Sequence, residues 1–431
     1  MDGKKDSRLL KRIKTTKKIK TAKNIKTAKN IKTAKSINTL KKIRWILFTI
    51  TGAAGILFLV LLCISGIFIK ARYTKPWEKE YAKSFTDARV QLLAYGLLAA
   101  NGHNMQPWRI KLDKTDSWVF YLYADSRRFT KEVDPYARQM MISQGTFLEY
   151  VMAGGEQTGY KTQIELFPEG SYEEGKLTAS MDNIPVAKVT LTVTSPVDNE
   201  LFDAMYLPDT NRSAYQTTTL SETDKSKLME TNTDTDLSLE IIEDDRNMVK
   251  LREIAMKGIG IEAGTERVMK ETEIIFRPNE YVKNKYRYGF SVEGQGSSGL
   301  MKHLMQGLVT IFPSMNQGKA SADLFVKAGQ ASVEHTPAFL LIKSRDNSRI
   351  NQIKSGMLYS RLILNAHNLG LVVQPLSQPL EEYPEMKNVY DEIHREYAQN
   401  GDTIQMLVRI GKPTKEAPLS MRQDVMDLIM E

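Results

Sequence analysis

Between Trp45 and Ile69 the chain runs for 25 residues without a charged side chain. At about 1.5 Å of rise per residue such a run, folded as a helix, crosses the roughly 30 Å hydrocarbon layer of a bilayer. It reads as a retained transmembrane anchor. A cleaved signal would have a shorter apolar stretch and a small-residue cleavage pattern, whereas here Ile69 leads straight into Lys70, Ala71 and Arg72. The one cysteine of the 431 residues, Cys63, follows Val60-Leu61-Leu62. That is a lipid-facing or packing environment, with palmitoylation the lesser alternative. A single cysteine excludes intramolecular disulfides, cysteine-rich zinc sites and iron–sulfur clusters.

The anchor separates two chemically different regions. Residues 1–44 hold 17 Lys/Arg against Asp2 and Asp6, a net +15, so the total of +9 leaves residues 45–431 at −6. The basic character belongs to the arm, and the folded part offers no basis for specific nucleic-acid binding. Seventeen cations before the span, against Lys70, Arg72, Lys75 and Lys79 soon after it, place the amino end in the cytoplasm and the main domain outside it. In the arm, isoleucines recur every six residues from Ile13 to Ile43. Six helical residues turn through about 600°, so successive isoleucines fall about 120° apart and form no apolar stripe. The expectation is a solvated, largely disordered arm, attracted to anionic lipid at about 1 kcal/mol per well-placed Lys.

Beyond a linker expected at 70–83, 42% hydrophobic and 26% charged residues overall exclude a disordered chain. ARVQLLAYGLLAA at 88–100 predicts a helix, and runs at 118–124, 189–195, 337–343 and 403–411 predict strands. Helical stretches at about 136–158 and 353–369 echo one another: Ile142, Gly145 and Gly159 correspond to Ile353, Gly356 and Gly370 at a constant offset of 211. Two tandem halves follow, 84–200 and 201–431, forming an intramolecular pseudo-dimer of α+β class. The folded part would then be monomeric, with a helical lid inserted at about 240–335.

GHNMQPWRIKL at 102–112 sets two amides and a Pro-Trp turn between helix and strand. Asn104 and Gln106 each offer donor and acceptor atoms, which suits either the edge of a planar ligand such as a flavin or the loop's own backbone. This segment resembles the Asn-x-Gln-Pro-Trp stretch of the nitroreductase superfamily, in its duplicated Acg-like branch. DPYARQMMISQGTFLEYVMAGGEQTGY at 134–160, LPDTNRSAYQ at 207–216, SGMLYSRLILNAHNLGLVVQPLSQPLE from 355 and IQMLVRIGKP from 404 are similar to further segments of that branch.

The resemblance implies an α+β fold holding FMN between the halves, with NADH or NADPH as reductant. By it, Asn104 and Gln106 address the flavin ring, Thr210 and Arg212 the phosphate, and Leu376 and Ser377 the region of the reactive flavin nitrogen. Arg422 resembles the family's last phosphate-binding Arg. No side chain is required as a catalytic nucleophile, and no metal is expected. Pro208 and Asp209 stand where family members often carry Arg-Arg, which removes phosphate cations. The G-x-G-x-x-G match at 294–299 lacks the following strand and acidic residue of a dinucleotide fold, and reads as part of the lid. The five histidines have no metal spacing; His103 alone falls near the implied site. The function expected is a membrane-anchored FMN-dependent oxidoreductase supplied by nicotinamide or by a membrane electron donor. The alternative is a protein that sequesters or stores FMN.

Overall fold

The computed structural model describes residues 3–294, 296–399 and 401–430. The chain divides into two compact units between Leu61 and Leu62. Helix α1, Gly3–Ser65, contains the whole described arm and the apolar run as far as Ser65; the last four residues of the helix expected at 45–69 form a turn instead. The disorder expected of residues 1–44 is therefore replaced by continuous helix from Gly3 onward. Lys, Ala, Ile and Leu are sound helix formers, and the threonines that recur with the repeat turn inward: Thr21, Thr27, Thr33 and Thr39 donate to the carbonyl four residues back at 2.8–2.9 Å. The repeat isoleucines are all exposed, as their 120° spacing requires.

Residues 70–83 are folded, in contrast to the linker expected there. A 3-10 turn at Arg72–Trp77 leads into α2, Lys79–Lys83, and Tyr73, Trp77 and Tyr81 are buried. The Trp77 indole donates to Ser420 O at 2.8 Å, and Val425 N donates to the Tyr81 hydroxyl at 2.9 Å. Aromatic residues spaced by four put one face of this short stretch into the core.

After α3, Ala88–Gly96, come β1 (Trp108–Leu112), β2 (Val119–Ala124), α4 (Arg138–Thr158), β3 (Tyr160–Leu166), α5 (Leu177–Asn183) and β4 (Ala187–Val193). These strands form an antiparallel sheet in the order β1-β2-β4-β3. Further along lie α6 (Glu222–Met229) and β5 (Leu237–Ile242), then five consecutive helices: α7 (Asp245–Gly264), α8 (Glu266–Ile274), α9 (Glu280–Tyr286), α10 (Gly299–Ile311) and α11 (Gly318–Glu334). The chain closes with β6 (Ala338–Ser344), α12 (Arg349–Asn368), β7 (Val372–Pro375), α13 (Lys387–Tyr397) and β8 (Thr403–Gly411). The second sheet is antiparallel in the order β5-β6-β8-β7, the same topology as the first. The architecture is α+β with two like-built halves, and residues 243–337 open the β5–β6 connection where the first half has only residues 113–118.

The halves meet through the echoed helices. A Cβ added at Gly145 would lie 1.9 Å from Ile353 O, and one at Gly356 would lie 2.0 Å from Ile142 O. α4 and α12 thus cross backbone to backbone at a pair of glycines, each using the other's isoleucine carbonyl, which is the reciprocity of a two-fold contact. The tail also crosses over: Met430 N donates to Ile110 O at 2.7 Å, placing the end of the second half on the first sheet.

Candidate functional site

Where the two halves face each other, the loop before β1 carries unusual backbone. His103, Asn104 and Gln106 all have positive φ, at 53°, 52° and 50°. Non-glycine residues adopt this region at a cost, and only where surrounding contacts enforce it. Here the contacts come from far along the chain. The Asn104 amide donates to Gly289 O at 2.9 Å and to Met421 O at 3.1 Å, while Gly289 N donates back to Asn104 O. The Gln106 amide donates to Arg287 O at 2.9 Å and Met421 O at 3.2 Å, and its oxygen accepts from Gln423 N at 2.8 Å. Both amides therefore serve protein backbone, and Gln106 is completely buried.

Arg422 completes this clasp. Its guanidinium donates to Asn104 Oδ1 and to the carbonyls of Met421, Leu98 and Ala99 at 2.8–3.2 Å, stands 3.4 Å from Asp209, and packs over Trp77. It is fully buried, so in this arrangement it answers internal carbonyls and Asp209 rather than a phosphate.

Arg212 differs. It is exposed to solvent, and among the described residues its guanidinium has no hydrogen bond or ion pair. Burial nonetheless pushes its pKa down, with Asp209, Tyr359 and Tyr215 acting in the other direction. Its charge is thus reached by water while lying beside Asp209, Tyr215 and Tyr359. His103, from the first half, lies close enough that burial, and then the Arg212 charge, lower its imidazole to about 4, leaving it neutral at physiological pH. Tyr150 of α4 and Tyr359 of α12 are buried within the field of Asp209, and their hydroxyls have no hydrogen-bond partner. Thr210 is half-buried with its hydroxyl unbonded. This neighbourhood thus brings together an unpaired cation, a free hydroxyl and two orphaned phenols, a donor set that fits the phosphate and polyol chain of a nucleotide-like cofactor.

Arg409 ties the segment that carries Arg212 to its surroundings. Buried in β8, it donates to Gln374 Oε1 (2.7 Å), Ser332 O (3.0 Å), Asn211 O (3.1 Å) and Ser213 O (2.7 Å), and stacks on Tyr215. Asn211 N in turn donates to Val373 O at 3.0 Å, joining the 210–212 segment to β7. The turn after β7 is placed by Leu376 N, which donates to Leu407 O at 2.8 Å; the Leu376 side chain is core and Ser377 is half-buried. α7 lies against this turn, a Cβ at Gly258 coming within 3.0 Å of Pro379 N. Asn104, Gln106 and Arg422 are therefore one cluster, Thr210 and Arg212 its neighbour through Asp209, and Leu376 and Ser377 are joined to them only by way of Asn211 and β7. Sequence reading missed Tyr150, Tyr359 and Arg409; the available signal was a charge inside the apolar run TIQMLVRIG and tyrosines within otherwise apolar helix faces.

No family model matches the chain. A protein of Mycobacterium tuberculosis strain H37Rv, provisionally assigned as an NAD(P)H nitroreductase, is 23% identical over 354 residues, covering 78% of this chain and 89% of that protein. Its counterpart in strain CDC 1551 / Oshkosh gives the same figures. Among solved structures, a Desulfitobacterium hafniense nitroreductase with bound FMN covers 53% of this chain and 96% of its own at 10% identity, with a TM-score of 0.32. An iodotyrosine deiodinase bound to FMN and 3-iodo-L-tyrosine covers 52% and 95% at 12% identity, with a TM-score of 0.30.

Proposed function

Taking the chain as a protein of the nitroreductase superfamily, we propose that it is a membrane-anchored oxidoreductase that holds one FMN between its halves. The single observation that carries this reading is the unpaired Arg212 lying beside His103 of the opposite half. FMN, when bound, would supply the hydride and electron chemistry. The protein's part is to hold it. Arg212 would bind the phosphate with Thr210 beside it, and the phenols of Tyr150 and Tyr359 would meet polar atoms that are otherwise unanswered. Asn104, Gln106 and Arg422 would act as the clasp that fixes the loop, while the backbone at Leu376 and Ser377 would border the ring. His103, neutral, leaves Arg212 as the main positive charge toward the phosphate. NADH, NADPH or a membrane donor would reduce the site, and the electron acceptor would be drawn from what reaches the domain.

One observation favours the alternative of an FMN-sequestering protein: residues 287 and 289, between α9 and α10, and Gly258 of α7 all touch the candidate site, so the insertion borders it and would narrow the access of a second ligand. The full-length protein purified in detergent is expected to be yellow, or to become so with added FMN, and to lose its 450 nm absorbance on anaerobic addition of NADH or NADPH. Persistent colour with both reductants selects the sequestering role. A colourless protein that takes up no FMN removes both readings.

A further inference from the structure

Helix α10 is built inside out. Its polar residues point inward along one stripe: Lys302 pairs with Glu280 at 3.2 Å and Glu293 at 3.1 Å, Gln306 donates to Glu280 at 2.9 Å, and Thr310 accepts from Asn279 at 3.2 Å. Glu280, Lys283 and Gln306 are buried in this network, which the Tyr73 hydroxyl joins by donating to Glu280 at 2.6 Å. The opposite face is apolar and turned to solvent. Leu300 is 51%, Met301 59% and Phe312 53% exposed, Ile311 and Met315 extend the patch, and Leu304 and Leu308 lie half-buried along it. A soluble helix places its apolar stripe on the core; a helix with this arrangement has its apolar side toward something other than water.

We propose that α10 and the turn that follows it lie in the surface of the lipid bilayer, apolar stripe toward the acyl chains, beside the point where the membrane span ends. This rests on the reading of residues 45–69 as a span. What selects lipid as the occupant is position. Ser65, the last residue of α1, has its hydroxyl 3.1 Å from His303 Nδ1 of α10. A Cβ at Gly66 would lie 3.0 Å from Glu280, Asn284 donates to Lys70 O at 2.8 Å, and Arg72 N donates to Asn284 Oδ1 at 2.8 Å. The residues with which the span ends are thus locked against 280–303, and a residue at the end of a span is at the level of the headgroups. Phe68, 86% exposed, adds an apolar side chain at the same place. Lys70, Arg72 and Lys285 are exposed around it, where cations meet anionic headgroups. An interfacial helix of this kind sinks its apolar face about 5–10 Å into the headgroup boundary.

Single cysteines placed in a Cys63→Ser background test this: Met301→Cys and Phe312→Cys on the patch, Ile56→Cys in the span, and Val249→Cys as an exposed apolar site on α7. Each full-length protein is labelled with an environment-sensitive fluorophore and reconstituted in vesicles of phosphatidylcholine and phosphatidylglycerol. Labels at 301 and 312 are expected to be quenched by lipids spin-labelled near the headgroup, to within about twofold of the Ile56 label's quenching by deep-labelled lipid, with Val249 unaffected. Quenching at 56 with none at 301 and 312 overturns the proposal while keeping the span; shielding of 301 and 312 from both spin-labelled lipid and aqueous iodide would assign the patch to a second copy of the chain and overturns it equally. Absence of quenching at all four positions overturns the span and, with it, the seat.

Discussion

Arg212 and Arg422 carry the same side chain, but their surroundings set them to different work. One is unpaired and open to solvent; the other is enclosed by carbonyls, an amide oxygen and Asp209. Replacing Arg212 with Ala is expected to remove a charge-assisted contact of about 1.5–3 kcal/mol, weakening FMN roughly 10- to 100-fold, with the urea midpoint unchanged. Arg422→Ala leaves Asp209 and several carbonyls unanswered, and breaking such a buried pair costs about 3–5 kcal/mol of stability. Flavin fluorescence titration and urea unfolding of both variants separate the two roles; an Arg422→Ala protein of normal stability that fails to bind FMN would return Arg422 to the phosphate. The amides at 104 and 106 show why these roles were only half legible. Their residue types and spacing announce a site, but the carbonyls they serve lie at 287, 289 and 421, brought close by the insertion and the tail rather than by any local pattern.

At the scale of elements, α7, whose Gly258 packs on the turn after β7, and that turn each bury an acid where they meet. Burial raises the Glu262 carboxyl from the usual 4.5 to about 7, and burial, with Glu262 next, pushes Glu381 well above its ordinary range. A carboxyl whose pKa is higher in the folded state holds a proton that the unfolded chain has lost, so its contribution is complete below about pH 4.5 and disappears as pH rises through about 7. Glu262→Gln keeps the shape and removes the titration. Urea midpoints at pH 5, 6 and 8 are expected to fall with rising pH in the wild type and to fall less in the variant; parallel declines would show that Glu262 does not titrate in this range. The strands and the two echoed helices were legible because their apolar periods and glycines lie within single segments. The arm and residues 70–83 were not: a hexad without an apolar stripe gives no reason for a helix beyond propensity, Tyr73 finds its carboxylate partner 207 residues later, and Trp77 and Tyr81 find theirs some 340 residues later.

For the whole molecule, if α1 anchors the chain as proposed, the side of the membrane on which residues 70–431 lie would decide which reductants they meet. The 17 cations before the span favour the outer side, where a membrane donor would serve in place of cytosolic nicotinamide. Protease added to intact spheroplasts is expected to degrade the domain; full protection until the membrane is opened would reverse the topology and favour NADH or NADPH.

The reciprocal crossing of α4 and α12 at Gly145 and Gly356 has a consequence for how such a chain changes over generations. In an assembly of two identical chains, every substitution is written twice, so both symmetric sites improve or decay together. Here the partner is covalently the same molecule but a different stretch of gene. One half can keep the Asn-x-Gln-Pro-Trp loop while the other keeps Arg212, and a long segment can enter one hairpin without entering its counterpart. Asymmetry of that sort, with residues 243–337 inserted in one half and a six-residue connection at the same place in the other, is open to a fused pair and closed to a homodimer.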